Sequence, residues 1–215
     1  GILLINCSAN KNQLKDGFYR FAIDRPDGNQ IIFNTQVKDS AGKKIMYLIN
    51  AQDRLLVDDI SAEGDSIRIQ LPFFESGFMA KPDASGNLAG EWIKGFGTRI
   101  QRLPFTAKFD EKDRFKITNP KSADFSGRWA VTFTRTDGRT SEAVGEFAQE
   151  GSRITGTFLN PSGDYRFLEG VVSGDSLYMS GFDGGMALLV MATIDSNNEI
   201  KEGKLFSGEK GEMSW

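Results

Sequence analysis

The densest run of polar side chains lies at residues 160–170, NPSGDYRFLEG. Asp164 and Glu169 supply carboxylates, Arg166 supplies a cation, and Tyr165 supplies a ring with a hydroxyl. Such groups can hold a ligand by hydrogen bonds, and two carboxylates facing a cleft can act as acid and base in hydrolysis. These four side chains are therefore candidate contacts for a ligand or a partner.

The same stretch also has a structural explanation. Residues 160–163 favour a turn, because Pro161 presets its φ angle and Gly163 tolerates a positive one. Strand alternation after the turn predicts one face with Tyr165, Phe167 and Glu169 and another with Arg166 and Leu168. Ion pairing of Arg166 and Glu169, or their exposure to solvent, is the alternative to ligand contact.

Asp183 is the remaining candidate contact, within GFDGG at 181–185. An Asp-Gly pair is typical of a tight hairpin turn, which is sufficient to explain it. A carboxylate hydrolase would require Asp183 or Asp164 to lie about 5–9.5 Å from another carboxyl group. The acidic clusters at 58–59 and 110–113 lack the spacing of a calcium loop, so no metal site is predicted.

The composition excludes several kinds of catalytic chemistry. The chain has no histidine and a single cysteine, so it has neither histidine-based catalysis nor a C-x-x-C redox pair. Its net charge is −3 without a basic run, which disfavours nucleic acid as a partner. We therefore expect a chain that is not an enzyme and that needs no cofactor.

The N-terminus, GILLINCSANKN, places an apolar run directly before Cys7. This pattern is typical of the end of a lipoprotein signal peptide, which predicts a lipid on Cys7 and membrane contact through that lipid alone. Residues 1–15 would then be a signal remnant and tether. The alternative is a first strand at Ile2–Ile5 with an unmodified thiol.

Turn residues recur every 8–12 positions between short runs rich in Phe, Ile, Val, Leu and Thr, which predicts an all-β antiparallel meander. Residues 63–95 and 173–208 share a Gly-Asp-Ser start and similar glycine spacing, which indicates an internal repeat. We predict two small calycin-like barrels, or one wide barrel made of both units. The units are 16–108 and 126–215, and the connector is 109–125. The core is expected to include Phe73, Phe74, Phe78, Trp92 and Phe96.

Several phrases of the chain resemble the N-terminal β-domain of bacterial envelope lipoproteins that carry a TlpA-like thioredoxin fold. The phrases are GEF (145–147), TGTF (155–158), GDYRFLEG (163–170) and FDG (182–184). The match is best over 127–208 and looser over 17–108. Gly185 and Met186 stand where the family pattern has a histidine, so any role of that histidine is lost here.

This resemblance implies a lipid-anchored protein that faces the periplasm of the bacterial cell envelope. Its redox chemistry would sit in a downstream thioredoxin-like thiol–disulfide oxidoreductase domain that these residues do not include. The expected function is a non-catalytic accessory module that positions or presents partners to that domain. The alternative is a calycin-like module that binds a small apolar or glycan ligand.

Overall fold

The computed structural model of the chain describes residues 14–120 and 123–215. These residues form seventeen β-strands and no helix, which confirms the predicted all-β class. The first sheet contains β1 (Gly17–Asp24), β2 (Gln30–Ser40), β3 (Lys43–Asn50), β4 (Asp53–Val57), β5 (Asp59–Glu63), β6 (Ser66–Gln70), β7 (Ser76–Pro82), β8 (Leu88–Lys94) and β9 (Gln101–Phe109). The second contains β10 (Gly127–Arg135), β11 (Thr140–Glu150), β12 (Arg153–Leu159), β13 (Tyr165–Ser173), β14 (Ser176–Phe182), β15 (Ala187–Ile194), β16 (Ile200–Ser207) and β17 (Gly211–Ser214).

The first sheet is a nearly closed barrel with the strand order β4-β3-β2-β1-β9-β8-β7-β6-β5. Because β1 pairs with both β2 and β9, the sheet curls round on itself. Its two edge strands, β4 and β5, are separated in sequence only by Asp58. One broken strand therefore pairs with β3 through its first half and with β6 through its second half.

The second sheet is a closed eight-stranded barrel, in which β17 pairs with β10 at Thr134 and Ser214. Its interior is packed by side chains, and Ile154, Phe158 and Leu168 have no exposed surface. The two units are thus separate sheets, so the alternative of one wide barrel was wrong.

The two sheets have the same succession of strands. The places of β10–β12 and β14–β17 correspond to β1–β3 and β6–β9, and β13 stands where β4 and β5 stand together. Gly95 and Gly208 make equivalent hydrogen bonds. The Gly95 N–H donates to the carbonyl of Glu75, directly before β7, and the Gly208 N–H donates to the carbonyl of Ala187, the first residue of β15. This correspondence supports the repeat, while duplication as its origin stays a prediction.

The units are joined by a side chain of the barrel that enters the core of the first sheet. Phe182, at the end of β14, stacks on Phe33 with ring centroids 4.1 Å apart. It also contacts Trp92 at 5.5 Å and Phe78 at 5.7 Å. Only 1% of Phe182 is exposed, so this ring belongs to the core of the first unit although its strand belongs to the second.

Hydrogen bonds also hold the backbone of Phe182 against the first unit. The side-chain amide of Asn50 donates to the Phe182 carbonyl at 2.8 Å, and its oxygen accepts from the Phe182 N–H at 3.1 Å. A Cβ atom at Gly184 would lie 2.9 Å from Leu71, and one at Gly185 would lie 2.6 Å from the Phe74 ring. The two glycines of GFDGG therefore let the β14–β15 turn approach the first unit closely.

Replacement of Phe182 by Ala should leave a cavity between the units and lower the free energy of unfolding by about 3–5 kcal/mol. Chemical denaturation followed by tryptophan fluorescence measures this change. Phe167→Ala is the matched control, because Phe167 is 37% exposed and its truncation should cost less than about 1 kcal/mol. Equal losses for the two variants would contradict the insertion.

Candidate functional site

The turn at 160–164 and the start of β13 lie beside a groove of about 550 Å³. We call it the β13 groove, and its lining includes Ala51, Gln52, Glu146, Asp164, Arg166 and Phe167. Ala51 and Gln52 come from the β3–β4 turn of the first unit, so both units contribute to the groove. Asp164 and Arg166 form an ion pair at 2.9 Å, and Arg128 and Glu146 form another at 3.0 Å. The structure therefore brings two of the predicted residues, Asp164 and Arg166, together at a surface groove.

The alternation predicted for this strand was wrong because β13 contains a bulge. Gly156 is opposite Leu168 and Phe158 is opposite Tyr165, so β13 has one more residue than β12 between the two pairs. The extra residue shifts the side chains after it to the other face. Tyr165 and Leu168 both pack on the barrel core, and Arg166 and Phe167 both face outward.

Tyr165 is thus mainly a core residue. Its ring packs edge-on against Phe133 with centroids 6.0 Å apart. Its backbone carbonyl accepts a hydrogen bond from the Thr157 hydroxyl at 3.1 Å, which stabilises the bulge.

Glu169 lies away from the other predicted contacts, at the seam between the units. One carboxylate oxygen accepts from Arg153 at 2.9 Å, and the other accepts from the Ala51 N–H at 2.8 Å. The second oxygen also lies 3.5 Å from the guanidinium of Arg114. Glu169 therefore links β13 to the β3–β4 turn and to the connector.

Arg114, which the sequence analysis missed, is the centre of this seam. Its guanidinium donates to Asn34 Oδ1 at 3.2 Å, to the Ser180 carbonyl at 3.0 Å, and to the Ile49 carbonyl. The side chain is only 5% exposed. The connector runs through charged residues, and nothing in its pattern distinguishes Arg114 from its exposed neighbours.

Burial lowers the pKa of Arg114 to about 10, and the nearby Glu169 carboxylate opposes this decrease. The guanidinium therefore remains charged at neutral pH. A buried charge is stable only with good hydrogen-bonding partners, and these come from β2, β3, β13 and β14 together.

A second buried arginine closes the other side of the seam. Arg25, in the β1–β2 turn, donates to the Gly208 carbonyl of the barrel and lies over the Phe206 ring at 5.0 Å. It also binds Asp27 at 2.7 Å. The hydrogen bond from Arg25 lowers the pKa of the Asp27 carboxyl group below its ordinary value.

Asp183 is placed in the β14–β15 turn. Its Oδ1 atom accepts from the N–H groups of Gly185 at 2.8 Å and Met186 at 2.6 Å. The carboxylate therefore caps the turn that carries Phe182 into the first unit. Asp164, Glu169 and Asp183 each have different partners, and no contact joins any two of them within the described residues.

One carboxylate in each of the acidic clusters considered for calcium is engaged in ion pairs. Asp59 binds Arg68 at 3.1 Å, and Glu111 lies 3.7 Å from both Arg20 and Lys108. Within residues 14–120 and 123–215, no group of three or more His, Cys, Asp or Glu side chains is arranged to hold a metal. The same residues contain no helix of the length and hydrophobicity that crossing a bilayer requires. Cys7 lies outside the described residues.

The network at the seam predicts that removing Glu169 destabilises the protein more than removing its exposed partner Arg153. Glu169→Ala should lower the free energy of unfolding by about 2–4 kcal/mol, because it removes the carboxylate counter-ion of the buried Arg114 and leaves the Ala51 N–H without its acceptor. Arg153→Ala removes the exposed partner of the same carboxylate and should cost less than about 1 kcal/mol. Denaturant titration of both variants is the measurement, and a larger loss for Arg153→Ala would contradict the assignment.

Comparison of the chain with family models and with curated proteins gave no match. The likeness to the β-domain of TlpA-like lipoproteins therefore rests on the phrases at 145–147, 155–158, 163–170 and 182–184. That likeness stays a sequence-based prediction.

Proposed function

We propose that the chain is a non-catalytic accessory module of a bacterial cell-envelope lipoprotein. In this proposal it is anchored through Cys7, faces the periplasm, and holds a downstream thioredoxin-like thiol–disulfide oxidoreductase domain in a fixed position relative to partners. The observation that carries the proposal is the interlocking of the two β units by Phe182 and Arg114. A spacer that sets a distance must resist bending, and a shared core provides that resistance.

The position of the two ends of the described chain supports a spacer. Lys15 binds the Ser85 carbonyl of the first unit at 2.8 Å. Trp215 packs in the second unit, with its ring 5.2 Å from Phe158. Groups attached before Lys15 and after Trp215 would thus be carried on different units. Because the seam fixes one unit on the other, those groups would keep a constant separation.

The partners of the predicted carboxylates also suit a structural role. Asp183 caps a turn, and Glu169 ties three segments together. Removing either carboxylate would disturb the seam, which is consistent with a function that depends on the relative position of the units.

Intact mass spectrometry of the protein isolated from its native membrane fraction tests the proposal. We expect a diacylglyceryl-modified peptide that begins at Cys7, together with C-x-x-C peptides that follow Trp215. Cys7→Ser should release the protein from the membrane fraction. An unlipidated mass equal to that of this chain alone would refute both the anchor and the thioredoxin-like partner.

The β13 groove favours a second candidate function, the binding of a small glycan or apolar ligand. Its walls combine the Asp164–Arg166 pair with the ring of Phe167 and the backbone of Gly156, a mixture that suits a sugar ring. Calycins bind their ligands inside the barrel, but the interior of the closed barrel of this chain is filled by side chains, which counts against a ligand there. This candidate therefore uses the outer surface.

If the groove binds a glycan, Arg166→Ala should weaken binding on a glycan array at least about tenfold, because it removes the charged donor. Arg139→Ala is the matched control, since Arg139 forms a similar pair with Asp137 at 2.6 Å outside the groove. If the unmodified chain binds no glycan on the array and does not bind a fluorescent fatty acid in solution, this candidate is removed.

A further inference from the structure

Four large apolar side chains form an exposed cluster at one end of the first unit. Phe96 is 75% exposed, Phe73 and Phe74 are each 57% exposed, and Ile100 is 45% exposed. The core position predicted for Phe73, Phe74 and Phe96 was wrong, because all three lie in loops beyond the ends of β6 and β8. We call Phe73, Phe74, Phe96 and Ile100 the phenylalanine patch.

The two loops of the patch are linked by a hydrogen bond, and one of them has a strained backbone. The Gly95 N–H donates to the Glu75 carbonyl at 2.8 Å, which fastens the 95–100 loop to the 71–75 loop. Phe74 and Glu75 have φ angles of +68° and +44°, a region that residues other than glycine rarely adopt. Strain of this kind persists where the surroundings enforce it, and it often marks a functional surface.

We propose that the phenylalanine patch is a dimerisation surface that binds the same patch of a second copy of this chain. Three phenylalanines and an isoleucine at these exposures present roughly 500 Å² of apolar surface. A two-fold contact would therefore bury about 1,000 Å² in total, near the lower limit for a specific interface. The dimer is expected to be reversible, with a Kd in roughly the micromolar range.

The patch continues an interface that the chain already forms. Phe74 packs on Gly185 of the β14–β15 turn, and the Lys94 ammonium donates to the Gly185 carbonyl. That turn is the counterpart, in the second unit, of the β6–β7 loop that carries Phe73 and Phe74. The β14–β15 hairpin thus joins one β unit to the other within the chain, and its counterpart in the first unit keeps Phe73 and Phe74 more than half exposed.

Charges at the rim favour a second copy over a lipid surface. Glu75 and Arg99 are exposed, and neither side chain has an ion pair with any residue of 14–120 or 123–215. In the proposed two-fold contact, Glu75 of one copy pairs with Arg99 of the other, and the symmetry repeats this pair on both sides of the axis. Anionic lipids prefer a uniformly basic rim, whereas the exposed Glu75 places a carboxylate in one of the two loops of the patch.

The place of the patch in the fold also argues against a bilayer. Lys15 contacts the β7–β8 turn through Ser85. The loops of the patch follow β6 and β8 and therefore lie at the opposite end of the first unit. With the anchor proposed above, the patch would face away from the membrane, although dimerisation itself does not depend on that anchor.

Sedimentation velocity of the full chain at about 1–200 µM, in reducing buffer so that Cys7 cannot link two copies, tests the proposal. The sedimentation coefficient of the unmodified chain should increase with concentration from monomer to dimer. Phe96→Ser should raise the Kd by about tenfold or more. Ile117→Ser should leave the Kd unchanged, since Ile117 is 49% exposed but lies in the connector.

Charge reversal distinguishes a two-fold contact from non-specific association. Glu75→Arg alone and Arg99→Glu alone should each weaken self-association, because like charges would face each other. An equimolar mixture of these two variants should dimerise again, because both contacts then pair opposite charges.

Three results would overturn the proposal. One is a monomer at every concentration, and another is a dimer that Phe96→Ser does not weaken. The third is monomeric protein that co-sediments with phosphatidylethanolamine–phosphatidylglycerol vesicles through Phe96, which would assign the patch to a lipid surface.

Discussion

The guanidinium of Arg114 imposes the strictest requirement on this structure, since a buried charge must find all of its partners inside the protein. Those partners are Asn34 and Ile49 of the first unit and Glu169 and Ser180 of the barrel. They come together in one orientation of the two sheets. A slide of one sheet along the other would leave the charge without acceptors, so the hydrogen bonds of Arg114 select a single seam.

Apolar packing supplies the stability that the charge alone does not. Phe182 enters the first unit among Phe33, Phe78 and Trp92, so the hydrophobic core runs across the seam without a break. Burial of the Phe182 ring drives the association of the two units and tolerates small shifts between them. The hydrogen bonds of Arg114 to fixed carbonyls do not tolerate such shifts, because they depend on distance and angle. Together they hold the two β units in one arrangement, the property on which the proposed accessory role rests.

The polar stretch at 160–170 shows how one segment can serve two surfaces. The bulge at Arg166 and Phe167 turns both side chains toward the β13 groove and returns Leu168 to the core. One residue later, Glu169 faces the seam and binds Arg114 and Arg153. Asp164 and Glu169 therefore act in different places, although they lie in the same short run of sequence.

The sequence by itself determined the β class and the meander, because strand and turn preferences are local and repeat every 8–12 residues. It also identified Asp183 as a turn residue, since the capping partners Gly185 and Met186 are sequence neighbours. Only the tertiary structure decided that Arg114 is buried, that Phe182 packs in the other unit, and that Phe73, Phe74 and Phe96 are exposed. Those outcomes depend on contacts between residues more than 60 positions apart, such as Arg114 and Ser180, and on the bulge and strained loops that redirect side chains. The periodicity of residue types along the chain carries no information about these long-range contacts or about the bulge and the strained loops.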